Sequence, residues 1–173
     1  SNLEMFKYCW IWDKHQISGF LNAKKQPLRQ HEDIAVFYDK QCTYNPQMAK
    51  GKMQLKNTGG NSSNYNDFKA EGLDMVFVQD KAQPHYSDEY YPKSILEIPL
   101  PRFKEGHPTQ KPIPLYEYLI KTYTNEGELV LDNCCGSGTT AEACLNTNRE
   151  FICIEKELKY VQISNQRIQN ILR

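Results

Sequence analysis

The pattern of apolar and polar positions changes character three times along the chain. Met5-Phe6-Lys7-Tyr8-Cys9-Trp10-Ile11-Trp12 is dense in aromatic residues and predicts a half-buried strand. A polar stretch from Asp13 to Arg29 follows, with Gly19 as its turn point, and Ile34-Ala35-Val36-Phe37-Tyr38 predicts a second short strand. Residues 42 to 93 are rich in Asn, Gly, Ser, Tyr and Lys, loosest at Asn57 to Asn64. Such a tract buries little apolar surface and predicts an irregular, loop-like insertion holding two isolated strands, Met75 to Val78 and Ile95 to Ile98. From Pro99 the rhythm becomes regular. Pro112 and Pro114 suit a helix start, Leu115, Tyr118, Leu119 and Tyr123 share one helical face, and Gly127 closes the element. Leu129 to Leu131 predicts a buried strand, Thr140 to Leu145 a helix, and Phe151 to Ile154 a strand. Leu158, Val161, Ile168 and Leu172 form the apolar stripe of a terminal helix. Helices alternating with strands predict a parallel α/β sheet.

The chain's 173 residues suffice for one domain with a real core, or for one domain carrying an insertion. A hydrophobic share of 39% and a mean hydropathy of −0.70 fit long polar loops. Lys+Arg and Asp+Glu balance at 21 each, which argues against a small, strongly basic nucleic-acid module and leaves local basic clusters open. Neither a secretory leader nor an apolar run long enough to span a bilayer is visible, so a cytoplasmic protein without membrane contact is expected. The six cysteines include no C-x-x-C pair. Cys134 and Cys135 are adjacent, a poor zinc-ligand spacing, and no metal is expected. The cysteines read as reduced, small apolar residues, with Cys144 and Cys153 on core faces.

Candidate chemistry concentrates after residue 106. Leu129-Val130-Leu131-Asp132 runs into Asn133-Cys134-Cys135-Gly136-Ser137-Gly138-Thr139-Thr140, a strand breaking into a glycine turn that opens a helix. That arrangement lets a nucleoside ligand approach bare backbone at the carboxyl end of a strand. Gly136 to Ala141 also satisfies G-x-G-x-x-A, the dinucleotide fingerprint, so a nicotinamide oxidoreductase stays open on spacing alone. A carboxylate at Asp132 would repel a pyrophosphate but suits a cationic ammonium or sulfonium. Glu155 ends the next strand, 23 positions on, where a carboxylate accepts hydrogen bonds from ribose hydroxyls in either ligand class.

His107-Pro108-Thr109-Gln110-Lys111-Pro112, together with Asp132 and Cys135-Gly136-Ser137-Gly138-Thr139-Thr140, resembles the amino-group DNA methyltransferases. These are the N6-adenine and N4-cytosine enzymes of phage and bacteria, in the order that places the cofactor-binding half last. The family motifs are H-P-T-x-K-P and D-P-F-C-G-S-G-T-T; Asn133 and Cys134 stand where Pro and Phe are usual. Phe151 to Glu155 is similar to the family's ribose-binding strand. Trp10 to Lys14 and His31 to Phe37 resemble edge strands that follow the catalytic segment, so the resemblance covers residues 5 to 40 and 99 to 172. It implies a Rossmann-like methyltransferase sheet, S-adenosyl-L-methionine as cofactor and double-stranded DNA as partner. It further implies cofactor contacts from His107, Thr109, Lys111, Asp132, Cys134, Gly136, Ser137, Gly138, Thr139 and Glu155, with Thr109 and Lys111 at the methionine end.

Family members also carry a [D/N/S]-P-P-[Y/F/W] tetrapeptide that orients the target amine. Nine prolines occur in this chain and no two are adjacent, so the tetrapeptide is absent and no catalytic residue is assigned. The expectation is an incomplete sheet whose catalytic strand comes from a missing N-terminal half or a second chain. The chain alone would then be inactive. The expected organisation is edge strands over 1–41, a target-recognition insertion over 42–98 and the cofactor-binding part over 99–173. Lys50, Lys52 and Lys56, with Tyr44, Asn45 and Gln47 nearby, are candidates for DNA contact, as are Lys24, Lys25 and Arg29. A non-catalytic DNA-binding remnant is the other alternative.

Overall fold

Trp10 and Trp12 sit two positions apart, so a strand aims both indoles to one side. In the computed structural model of the chain, which describes residues 3–56, 85–101 and 110–173, they are 3% and 1% exposed and anchor the core. In chain order the elements are β1 (Phe6–Ser18), β2 (Arg29–Phe37), β3 (Ala49–Lys56), β4 (His85–Tyr90) and β5 (Ile95–Glu97). There follow α1 (Ile113–Tyr123), β6 (Leu129–Asp132), α2 (Thr139–Asn146), β7 (Glu150–Cys153) and α3 (Leu158–Ile171). They divide into two compact units, residues 1–47 with 92–173, and Met48–Tyr91.

In the first unit, β1 pairs antiparallel with β2 and parallel with β5, giving the order β2-β1-β5. The apolar face of α1 covers this sheet: Leu115 joins Trp10, Trp12 and Leu96, and Tyr118, Leu119 and Tyr123 pack around them. Burying an indole removes roughly 200 Å² of surface from water, worth about 5 kcal/mol before ordering costs. Each indole also satisfies its one donor. Trp10 Nε1–H donates to Tyr123 Oη at 2.6 Å, and Trp12 Nε1–H to the Ile98 carbonyl at 2.7 Å. Asn45 then ties the chain to the end of α1: its side-chain amide donates to the Lys121 and Thr124 carbonyls at 3.2 and 3.0 Å.

The second sheet of this unit is the parallel pair β6-β7, in register from Leu129↔Glu150 to Asp132↔Cys153. Val130 and Phe151 pack with Ile120, Ala143 and Cys144 beneath α1 and α2. No hydrogen-bonded strand joins this pair to β2-β1-β5 among the described residues, so the sheet is partial. The other unit contains the antiparallel pair β3-β4, in register from Ala49↔Tyr90 to Lys56↔His85.

Several elements differ from the sequence expectation. The polar stretch after Asp13 is strand to Ser18, because hairpin pairing with β2 orders it without apolar burial. His15, at φ 52°, marks the irregularity in that ladder. β6 is buried on one face only; Leu129 and Leu131 with Ile152 on β7 and Ile154 just beyond it are about half exposed or more, since the helices cover only the opposite face. α3 buries Ser164 and Arg167, while Leu158 and Leu172 are exposed. α1 ends at Thr124, and Gly127 (φ 78°) turns the chain into β6. Residues 42–47 and 92–98 lie in the first unit, and 49–56 with 85–90 form an ordered ribbon. The expected strand Met75 to Val78 and the loose piece Asn57 to Asn64 lie outside the described residues.

Candidate functional site

The turn after β6 is built by its own side chains and amides. Asp132 Oδ1 accepts the Cys134 amide at 3.0 Å, and Oδ2 accepts the Thr140 hydroxyl. On the next strand, Glu155 Oε2 accepts the Gly136 amide at 2.9 Å and Oε1 accepts the Glu157 amide at 2.9 Å. The turn is thus held from both strands, by Asp132 at the end of β6 and by Glu155 two residues past the end of β7. Gly136 and Gly138 both have positive φ, 55° and 82°, and Gly138 is the N-cap of α2.

α3 presses this turn from behind. A Cβ on Gly138 would fall 2.2 Å from Ser164 Oγ. Arg167, 8% exposed, donates to the Ser137 carbonyl at 3.0 Å and to Glu142 Oε2 at 2.8 Å. Sequence reading missed this polar packing, because it searched the helix for apolar repeats. Ser137 and Thr139 are themselves buried, so they shape the turn, whereas Cys134 is exposed beside Asp132. Burial raises the Cys135 thiol and pushes that of Cys153 up to about 12, so neither is a thiolate nucleophile at neutral pH. All six cysteines are free.

Lys111 belongs to a second cluster. Its Nζ pairs with Glu32 Oε2 and lies 5.2 Å from the centre of the Trp12 ring, while Lys14 Nζ pairs with Glu32 Oε1 at 3.2 Å. Register places Glu32 opposite Trp12. Desolvation pushes the Glu32 carboxyl upward, but the two lysines outweigh it and hold the group below its ordinary value of 4.5. A depressed carboxyl stabilises the fold above its unfolded pKa, and that stabilisation is lost as pH falls through the folded value. Glu32→Gln is therefore expected to lower the melting temperature at pH 7 and to lose its effect as the pH falls below the ordinary carboxylate range and through the folded value. A constant deficit across that range in thermal melts would refute the assignment.

His107 and Thr109 lie outside the described residues, so of the expected methionine-end residues only Lys111 is placed. A cleft of about 530 Å³ runs beside it, walled by Ile98, Pro99, Leu100, Pro112 and Ile113. A second, of about 370 Å³, opens beneath Glu155 between β7 and α3. Among the described residues no group of three or more His, Cys, Asp or Glu side chains is placed to hold a metal ion, and no helix is long and apolar enough to cross a membrane.

The expected DNA-contact residues divide between the units. Lys24, Lys25 and Arg29 are exposed where β1 turns back into β2. Lys50 and Lys52 are exposed on β3, and Lys56 is drawn onto the Glu89 carbonyl and the Tyr90 ring, 4.5 Å from its centre. Beside them, the Asn45 side-chain amide caps the end of α1, and the Tyr44 ring, exposed on one side, packs edge-on against Tyr123 with centroids 6.1 Å apart.

A carboxylate strand end followed by a glycine-capped helix, with a second carboxylate on the neighbouring parallel strand, is shared by many nucleoside-binding folds. The decision between them comes from the chain as a whole: residues 4–166 match the N6/N4 family model described as DNA methylase. The chain belongs to this DNA methylase family. Among its curated relatives, the type II methyltransferase M.BglI of Bacillus subtilis is 46% identical over 77 residues, 44% of this chain and 22% of that protein. The DNA adenine methyltransferase YhdJ of Escherichia coli K12 is 33% identical over 87 residues, 48% of this chain and 30% of that protein. The crystal structure of the M1.HpyAVI–SAM complex superposes with a TM-score of 0.57 at 27% identity, covering 94% of this chain and 62% of that one. The cytosine-N4-specific PvuII methyltransferase gives 0.57 at 15% identity over 96% and 56%, a likeness of fold alone. The DNA methylase chain thus has the Rossmann-like methyltransferase fold with a partial sheet. Its matches span about a quarter of these curated relatives and under two thirds of the solved structures.

Proposed function

We propose that the chain is the cofactor-binding part of an enzyme that transfers a methyl group from S-adenosylmethionine to an exocyclic amine in double-stranded DNA, adenine before cytosine. The observation that carries this reading is the pair Asp132 and Glu155, flanking Gly136 and Gly138 at the carboxyl ends of adjacent parallel strands. This donor set fits the cofactor. Glu155 suits the ribose hydroxyls, Asp132 the cationic amino-acid end, and the glycines admit the ligand close to backbone. When bound, the cofactor supplies an electrophilic methyl on its sulfonium.

The proline-paired tetrapeptide that orients the target amine is absent from the sequence, and the sheet is partial among the described residues. The reading therefore assigns amine activation to a further segment or a second chain, and expects this chain alone to be inactive. A base within a duplex must leave the stack to be methylated. Lys24, Lys25, Arg29, Lys50 and Lys52 are the cations assigned to the phosphates, with Lys56 steadying the ribbon that carries two of them.

Titration calorimetry with S-adenosylmethionine beside NAD tests the cofactor. Saturable binding of the methyl donor alone is the expected result. Binding of NAD alone would overturn the reading in favour of an oxidoreductase, and binding of neither would leave a remnant without cofactor function. Methyl incorporation into DNA by the pure chain would overturn its expected inactivity.

A further inference from the structure

The turn that joins β1 to β2 is ordered, yet it leaves its largest apolar side chains in water. Ser18 pairs with Arg29, and the Ser18 hydroxyl donates to the Arg29 carbonyl at 3.1 Å, so residues 19–28 form the tip of the hairpin. Gly19, at φ 92°, starts the tip, and a single 3-10 turn, Phe20–Asn22, follows. The Asn22 amide donates to the Gly19 carbonyl at 3.0 Å, the Ala23 amide to that of Phe20 at 3.1 Å and the Lys25 amide to that of Asn22 at 2.8 Å. These bonds fix the backbone without a core beneath it: from His15 to Gln30 every residue but Gly19 is exposed. Leu21 is fully exposed and Phe20 is 66% exposed, with Ile17 and Leu28 also exposed at the base of the tip.

The same stretch holds no acid. From Lys14 to His31 the chain has four cations, Lys14, Lys24, Lys25 and Arg29, with two histidines and no Asp or Glu. Elsewhere the protein's charges offset this, since Lys+Arg and Asp+Glu balance at 21 each. Glu32 neutralises Lys14, whereas none of the other three side chains has an ion pair among the described residues. Exposed apolar side chains on a cationic tip suit a partner with lines of anions and flat apolar faces between them. A nucleic-acid duplex has both. An anionic membrane also combines phosphates with apolar depth, and membership of the DNA methylase family favours the duplex over it.

We infer that the β1–β2 tip is a wedge for duplex DNA. Phe20 and Leu21 fill the space that opens when a base leaves the stack, and Lys24, Lys25 and Arg29 hold the flanking phosphates. This rests on the proposed DNA substrate and adds two apolar contacts to it. A two-stranded ribbon enters a major groove about 12 Å wide, so the tip can reach the bases. An unstacked step exposes base faces to water, and apolar side chains that cover them lower the cost of holding it open.

The test measures binding of the full chain to a labelled DNA duplex by fluorescence anisotropy, with the duplex fully paired or carrying one central abasic site. The unaltered chain is expected to bind the abasic duplex about 10-fold more tightly, because the missing base removes the cost of unstacking. Phe20→Ser with Leu21→Ser is expected to bring the two affinities within about threefold, at an unchanged melting temperature and salt dependence. Lys24→Gln with Lys25→Gln is expected to weaken both duplexes alike and to lower the slope of log affinity against log salt by about 2. Equal binding of both duplexes by the unaltered chain overturns the wedge and leaves the DNA reading intact. A serine variant that keeps the full preference does the same. An unchanged salt slope in the glutamine variant overturns the phosphate role of the two lysines. Failure to bind either duplex sinks the DNA reading and the wedge with it, and binding of phosphatidylserine vesicles in their place would assign the tip to an anionic lipid surface.

Discussion

Arg167→Met is expected to destabilise the first unit by about 3–5 kcal/mol, the usual cost of stranding one partner of a buried ion pair. The guanidinium is 8% exposed and satisfies the Ser137 carbonyl and the Glu142 carboxylate together. Methionine fills the volume but leaves both acceptors without their donors, one of them charged and 20% exposed. Urea unfolding followed by far-UV circular dichroism measures the loss. The double variant Arg167→Met, Glu142→Leu should recover a substantial part of it, because removing both charges avoids the stranded carboxylate. A loss below about 1 kcal/mol would mean that water already serves these groups.

Gly138→Ala is expected to cost about 2–5 kcal/mol for two separable reasons. The backbone there is left-handed, at φ 82°, which costs a residue with a Cβ about 1–2 kcal/mol. The new methyl would also meet Ser164 Oγ at 2.2 Å and Ser164 Cβ at 2.8 Å, an overpacking cost of about 1–3 kcal/mol. Ser164→Gly removes both of those atoms, so the double variant should return the steric share and keep the conformational one. If Ser164→Gly rescues nothing in the same unfolding measurement, α3 does not press on the turn as described. Both variants should also weaken S-adenosylmethionine binding, since each disturbs the backbone between Asp132 and α2.

What the sequence reveals of this fold is what local rules dictate. The prolines at 112 and 114, the apolar face of α1 and the strand-to-glycine turn at Asp132 each follow from a few neighbouring residues, and the structure places them as expected. Position-by-position contact between Asp132, Glu155 and Lys111 and a ligand rests on the proposed cofactor. The missed features are all tertiary. The apolar residues of α3 predict an apolar contact stripe, yet the helix buries Ser164 and Arg167, because the surface it meets is a turn of backbone carbonyls and small side chains. The Lys14–Glu32–Lys111 cluster joins residues up to 97 positions apart, and no spacing rule finds it. β6 reads as fully buried because its apolar run suits a strand covered on both faces. In the structure the face bearing Leu129 and Leu131 is uncovered.

The placement of the chain's two tryptophans has an optical consequence. Trp10 and Trp12 both belong to the core of the first unit, and residues 48–91 contain none. Indole emission is thus a private channel for one of the two units, blue-shifted while that core is closed. Loosening of the β3-β4 ribbon leaves it dark. The Lys111 ammonium, 5.2 Å from the Trp12 ring, places a charge within quenching range of that emitter. A ligand that draws Lys111 off the ring changes the fluorescence without any label.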